Sequence, residues 1–215
     1  MAGTEEYSAA TTFNDVGKSY EDAFDNVPGQ QRSLKWIIPQ LPKEAKVLDV
    51  GCGTGRPACE MLAEAGFDVT GIDIAPTMID VAKEQVPGAK FIITDSRTWE
   101  PEPADEPYDG IVSYFAMIAG VTRDDIRALF RRAYGWLKPG GIFVYGTAME
   151  DCENREINWL GRRMVVSSLI LPDTIAAIEG AGFVIERHAR EGFLPKWEKA
   201  SKEEDHLFVY ARKPE

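Results

Sequence analysis

The 215-residue chain has little histidine and little cysteine, two of the former and three of the latter. Three is an odd count, and no pair has the spacing of a zinc site or a disulfide framework, which argues against a metal centre and an oxidised scaffold. Cys52 and Cys59 read instead as small packed residues in reducing surroundings. No apolar run approaches the ~18–20 residues of a membrane span. Met1–Glu6 shows neither the basic start nor the apolar stretch of a secretory leader, so a cytoplasmic protein without a membrane partner is expected. Positive charge is scarce as well. Lysine and arginine number 24 against 35 acids, for a net charge of −11. Arg131, Arg132 and Lys138, and separately Arg162 and Arg163, form short basic groups flanked by acids, unlike the basic footprint that neutralises phosphates. Nucleic acid is therefore not expected as a partner. No repeat, low-complexity tract or composition break divides the chain, so residues 1–215 are expected to form one domain.

What is present is a strand running into glycines. Val47-Leu48-Asp49-Val50-Gly51-Cys52-Gly53-Thr54-Gly55 reads as a buried strand ending in a tight turn, with Arg56–Ala65 continuing as a helix. Glycine lets backbone N–H groups approach a ligand, and the helix N-terminus adds partial positive charge. The glycines fall as G-x-G-x-G, with Arg56 where a dinucleotide fingerprint places its third glycine. A second strand, Val69–Asp73, ends in an acid about twenty residues beyond the turn, where a carboxylate would meet ribose hydroxyls. Phe91–Thr94 leads into Asp95, Gly110–Ser113 follows Tyr108-Asp109, and Ile142–Tyr145 follows Leu137-Lys138-Pro139-Gly140-Gly141. Strand and helix patterns alternate as a doubly wound parallel sheet requires.

Elsewhere the signals are weaker. Val16, Tyr20, Ala23 and Phe24 predict an amphipathic helix over Asp15–Asn26, and Pro28 opens a second one. Thr122 with Asp125 suggests a capping box for a helix burying Ile126, Leu129, Phe130, Ala133 and Leu137. Met149–Ser168 is expected to be an insertion of short strands or a helix. A helix over Pro172–Gly180 and strands over Phe183–Ala189 and Leu207–Ala211 complete the chain. Tyr134 and Lys138 have the Tyr-x-x-x-Lys spacing of short-chain dehydrogenases, but Gly135 is expected to interrupt that helix and Lys138 to lie at its end.

In order and chemistry this set resembles the class I S-adenosylmethionine-dependent methyltransferases, particularly the compact kind that act on small molecules. The resemblance covers roughly residues 30–150. It implies an α/β, Rossmann-like sheet of seven strands, doubly wound and mostly parallel with an antiparallel last strand, and helices on both faces. It implies S-adenosylmethionine as cofactor, S-adenosylhomocysteine as product and a small-molecule acceptor methylated at nitrogen or oxygen. Gly51, Cys52, Gly53 and Gly55 would pass against the cofactor's amino-acid portion, with Asp49 ordering the turn and meeting the amino group. Asp73 would accept the ribose hydroxyls, Asp95 the adenine amino group and Ser96 the ring edge, with Ile74 and Met78 enclosing adenine. Tyr20 would close over the cofactor. Tyr114 and Phe115 would wall the reaction chamber. The amino-group nucleic-acid enzymes of this class carry an Asn/Asp-Pro-Pro-aromatic motif where this chain has Ser113-Tyr114-Phe115-Ala116.

The topology implied by the resemblance brings residues 7–30, 148–171 and 191–205 to one edge. The N-terminal helices (about 7–42) and the insertion (about 148–171) are expected to cap the site. Tyr7, Phe13, Met164 and Phe193 join that roof, and Phe24, Phe115, Tyr145, Trp159 and Trp197 are the expected acceptor contacts. Both histidines, His188 and His206, are expected at the same edge but across the sheet from the glycine turn. Tyr114 and His206 are the catalytic candidates, with Tyr145 a further hydrogen-bonding group. Two other uses of such a fold stay open at this point, a cyclase or rearrangement enzyme that employs the cofactor's charge, and a non-catalytic partner subunit. The sequence says nothing of oligomeric state.

Overall fold

The computed structural model describes residues 7–24, 26–196 and 202–215. Strands β1 (Lys46–Val50), β2 (Asp68–Asp73), β3 (Lys90–Ile93), β4 (Tyr108–Tyr114) and β5 (Leu137–Ala148) pair in parallel. Antiparallel pairing joins β9 (Glu204–Arg212) to β5 and to β8 (Val184–Phe193), as the antiparallel last strand requires. The seven-stranded order is β3-β2-β1-β4-β5-β9-β8, so the winding reverses between β1 and β4. Crevices outside strand C-termini at such a reversal are where open α/β sheets bind ligands.

The sheet is buried from both sides because its central strands are apolar at consecutive positions. Val47 faces a layer with Leu34 of α3 (Pro28–Ile37), Leu62 of α4 (Ala58–Glu64) and Ile79 of α5 (Pro76–Gln85). Leu48, one residue on, faces Ile126 and Phe130 of α6 (Arg123–Trp136) and Ile178 of α7 (Leu171–Gly180). Each such side chain contributes about 1.5–3 kcal/mol on burial. The capping box at α6 is present, with Thr122 and Asp125 bonded reciprocally.

Three local expectations need correction. The N-terminal helix is two pieces, α1 (Ala9–Val16) and α2 (Ser19–Phe24), with Gly17 at φ +49 breaking it and the Ser19 hydroxyl donating to the Val16 carbonyl. α6 passes through Gly135 and ends at Trp136, and Leu137 already pairs with Tyr108 in the sheet. The Lys138–Gly141 segment thus opens β5, bulged at Gly140 (φ +75) and bonded to Lys213. Lys138 pairs with Asp109, and Tyr134 packs on Phe183, so these two residues do not share a site.

The insertion folds as a hairpin, β6 (Cys152–Trp159) and β7 (Arg162–Ser168). Two backbone bonds of 2.9 Å dock β7 on the loop after β4, from the Gly120 N–H to the Val165 carbonyl and from the Ser167 N–H to the Ile118 carbonyl. α1 packs between β7 and α5, and the Asn14 side chain accepts from the Thr77 N–H at 3.0 Å. Among the described residues, no helix is long and apolar enough to cross a membrane.

Candidate functional site

At the end of β1 the backbone turns through Gly51 and Gly53 with φ of +73° and +53°, which side chains beyond glycine adopt only under strain. Gly51 is doubly constrained, because a Cβ there would collide with Ala116. Its N–H donates to the Ile72 carbonyl at 2.8 Å, tying the turn to β2. A Cβ at Gly53 would meet nothing within 4 Å, so that side of the turn is open. The Gly53 N–H donates to Asp73 Oδ2 at 2.9 Å, joining the turn to the acid that ends β2.

A cavity of about 610 Å³ lies over this turn and the C-terminal ends of β1, β2 and β4. Asp49, Gly51, Cys52, Gly53, Asp73, Ile74 and Met78 line its floor and one side. Asp95 and Ser96 line a second side, Tyr114 and Phe115 a third, and Tyr20 and Phe24 come down from α2. The structure therefore brings most of the expected binding residues together.

Their chemistry differs residue by residue. Asp49 is 2% exposed, and the one hydrogen-bond partner of its side chain among the described residues is the Cys59 thiol, 3.3 Å from Oδ2. Burial pushes its carboxyl up to about 7, the thiol pulls it down somewhat, and the charge of Asp73 pushes it up again. Asp73 is also raised by burial, against the lowering effect of N–H groups from Ala75, Gly53 and Ile74. Asp95 goes the other way, because Arg97 clasps both its oxygens and holds its carboxyl below the usual range despite partial burial. The Arg97 guanidinium also reaches the Gly120 carbonyl at 3.1 Å. Two poorly neutralised carboxylates beside an open glycine make the floor a place for a cation and for hydroxyl donors.

A second cavity of about 490 Å³ adjoins the first and shares Phe13, Tyr20, Phe24 and Phe115 with it. Phe115 holds φ +57°, a left-handed conformation at the end of β4 that turns its ring between the two spaces. Trp159 lines this second cavity and stacks on Phe24 with centroids 5.7 Å apart.

Residues 47–141 match the family model described as a methyltransferase domain. A solved S-adenosylmethionine-dependent methyltransferase from Mesorhizobium loti superposes with a TM-score of 0.66 at 23% identity, over 87% of this chain and 99% of that one. Over residues 47–141 the chain is thus similar to methyltransferase domains, and its fold is that of solved S-adenosylmethionine-dependent methyltransferases. Among curated relatives, phosphoethanolamine N-methyltransferase 3 of Arabidopsis thaliana is 37% identical over 128 residues, which are 58% of this chain and 22% of that protein. Trans-aconitate 2-methyltransferase of Delftia acidovorans is 32% identical over 118 residues, 54% of this chain and 41% of that one. The chain thus spans less than half the length of these two curated relatives.

Several expected site residues lie elsewhere. Gly55, at φ +81°, faces Val86, Ala82 and Phe91 and shapes packing behind the turn, not the cavity. Tyr145 is on the opposite face of β5, edge-on to Phe130 at 4.9 Å inside the α6 layer, and lines neither cavity. The alternation of side chains along a strand is the reason, since Val144 is the residue that faces α3. His188 is exposed in the middle of β8, opposite Val209. Tyr114 lines the cavity with its ring, but its hydroxyl is bonded to Ser33 of α3 at 2.6 Å. Burial raises that hydroxyl well above its ordinary range, which makes it a wall and a poor base. His206 is wholly buried between Phe115 and Phe193, with Nε2 2.9 Å from Glu204. Trp197 lies outside the described residues. Arg97, Cys59 and Ser33 were not legible as site residues; only Cys59 carried a signal, as a thiol on the helix that follows the turn.

Proposed function

We propose that this domain binds S-adenosylmethionine in the cavity beside the glycine turn and transfers its methyl group to a small-molecule acceptor at nitrogen or oxygen. The observation that carries this reading is Asp49, a buried carboxylate with a thiol as its one side-chain partner among the described residues, next to a glycine whose open side faces the same space. These residues fit the group. The ammonium of an amino acid supplies the charge that Asp49 lacks, and Gly53 leaves room for its backbone-like portion. Asp73 has two N–H partners at 2.9 Å and lone pairs left for vicinal hydroxyls. Asp95 and Ser96 stand where an adenine edge would be read, with Ile74 and Met78 as apolar cover.

When bound, S-adenosylmethionine supplies a methyl on a positively charged sulfur that is already a good leaving group. The chain's own task is then to align and dry the acceptor, and well-oriented reactants gain roughly 7–11 kcal/mol from proximity. Phe115 and the Tyr114 ring exclude water at the end of β4. The helices of residues 7–42 and the hairpin of 148–171 serve as the cap. The Delftia relative's name, that of an enzyme acting on trans-aconitate, supports a small organic acceptor, and the acidic chain supports neither a nucleic-acid nor a membrane partner. We place the protein in the cytoplasm on the same grounds.

Calorimetry with S-adenosylmethionine and S-adenosylhomocysteine tests the reading, and absence of binding by both ends it. Methyl-labelled cofactor incubated with candidate acceptors then separates transfer from other uses of the site. Product that forms while label stays on the cofactor would make the protein a cyclase or rearrangement enzyme instead.

A further inference from the structure

The donor-site reading leaves the second cavity unassigned. Its apolar side is built of rings, with Tyr20 stacked on Phe24 at 4.8 Å and Trp159 on the same phenyl at 5.7 Å. Its polar side is acidic, formed by Glu150, Glu203, Glu204 and Asp205. Glu150 is answered by Arg155 and Asp205 by Arg190, while Lys202 and Glu203 sit exposed at the rim. Glu204 differs from the rest. Its side chain is 24% exposed, and its partner is the imidazole of His206, itself wholly buried. The other ring nitrogen, Nδ1, is buried with no hydrogen-bond partner among the described residues. Phe115 at 4.5 Å and Phe193 at 5.1 Å clamp the imidazole, which fixes the Glu204 carboxylate against the aromatic wall. The negative charge of Glu204 also helps to raise the hydroxyl of Tyr20, after burial and ahead of Asp73, so its field reaches the ring that both cavities share.

A carboxylate held at the edge of stacked rings attracts a cation twice, through its own charge and through the faces of the rings. An anion would be repelled there, and a neutral molecule would gain only the apolar contact. We infer that the second cavity is the acceptor chamber and that it selects a molecule carrying a protonated amine beside an apolar or aromatic body, anchored by Glu204. The role of acceptor rests on the donor-site reading above; the preference for an amine rests on this cavity alone.

Calorimetry on the intact chain saturated with S-adenosylhomocysteine tests it, with phenethylamine, 2-phenylethanol and 3-phenylpropanoate as probes of equal shape and different charge. Phenethylamine should bind at least about tenfold more tightly than either of the others. Glu204→Gln keeps a polar partner for His206 while removing the charge, and should bring phenethylamine to the level of the alcohol. Trp159→Leu removes a ring without touching any acid, and should weaken the amine about fivefold or more. In both variants S-adenosylhomocysteine affinity reports that the fold is intact. Equal binding of amine and alcohol, tighter binding of the carboxylate, or no binding of the amine overturns the inference. If the parent chain does not bind S-adenosylhomocysteine, the donor-site reading fails instead, and the same three probes on the unliganded protein still decide the charge preference of the second cavity.

Discussion

Acidifying the solution should weaken S-adenosylhomocysteine binding, and Asp49→Asn should reduce the dependence to the part that Asp73 contributes. In the ligand-free protein burial raises the Asp49 carboxyl from 3.8 to about 7. An ammonium beside it favours the ionised form, so binding draws on the fraction already ionised. That fraction falls roughly thirtyfold between pH 7.4 and pH 5.4 for a group titrating near 7, and the dissociation constant should rise by the same factor. Above about pH 8 the ligand's own amine loses its proton, so affinity should peak between these limits. Stability has the matching sign. A carboxyl raised by folding leaves the ligand-free protein most stable below the unfolded value near 4, and costs stability as pH rises through 7. The penalty at full ionisation is about 4 kcal/mol at 1.36 kcal/mol per pH decade, so Asp49→Asn should melt higher than the parent at pH 8 in the absence of ligand. Asp73 is raised as well, and it contributes in the same direction, which is why the variant is needed. Calorimetry across pH with parent and variant gives the answer. A dissociation constant that is flat from pH 5.4 to 7.4, or a variant with the parent's slope, would refute the assignment of Asp49.

Other substitutions follow from the same geometry. Asp73→Ala removes the acceptor for the Gly53 and Ala75 N–H groups and for the ligand, and should weaken S-adenosylhomocysteine by tenfold to a hundredfold, about 1.5–3 kcal/mol, measured by calorimetry. Gly51→Ala adds a methyl against Ala116 at φ +73°, and should cost about 2–4 kcal/mol in urea unfolding as well as donor binding. Unchanged stability would mean that the turn can relax. Tyr114→Phe should cost about 1 kcal/mol of stability, because Ser33 keeps its bond to the Gln30 carbonyl, and should leave methyl transfer within a few fold. A hundredfold drop in turnover there would show that the hydroxyl takes part in the chemistry.

The centre of the sheet was legible because β1, β2 and β4 couple a buried run to a residue that must sit at its end. Asp73 directly follows Ile72, Asp95 follows Phe91–Thr94, and Gly51 and Gly53 could only be a turn. The capping box at Thr122 was equally local. What failed needed partners distant in sequence. Val16, Tyr20 and Phe24 keep helical spacing across Gly17, so periodicity alone favoured one helix, whereas the break lets α1 lie on β7 and α5. Tyr145 and Val144 are both buried, and only the packing of α3 and α6 decides which faces which layer. The roles of Tyr114 and Asp95 depended on Ser33 and Arg97, whose side-chain directions are fixed by tertiary contacts.

Tyr20, Phe24 and Phe115 are walls held in common by two adjoining chambers. On the proposed reading an occupant of either chamber touches the same three rings, so the fit of one bears on the fit of the other. The cooperativity so produced is reciprocal: any tightening that one occupant confers on its neighbour must be returned by the same factor.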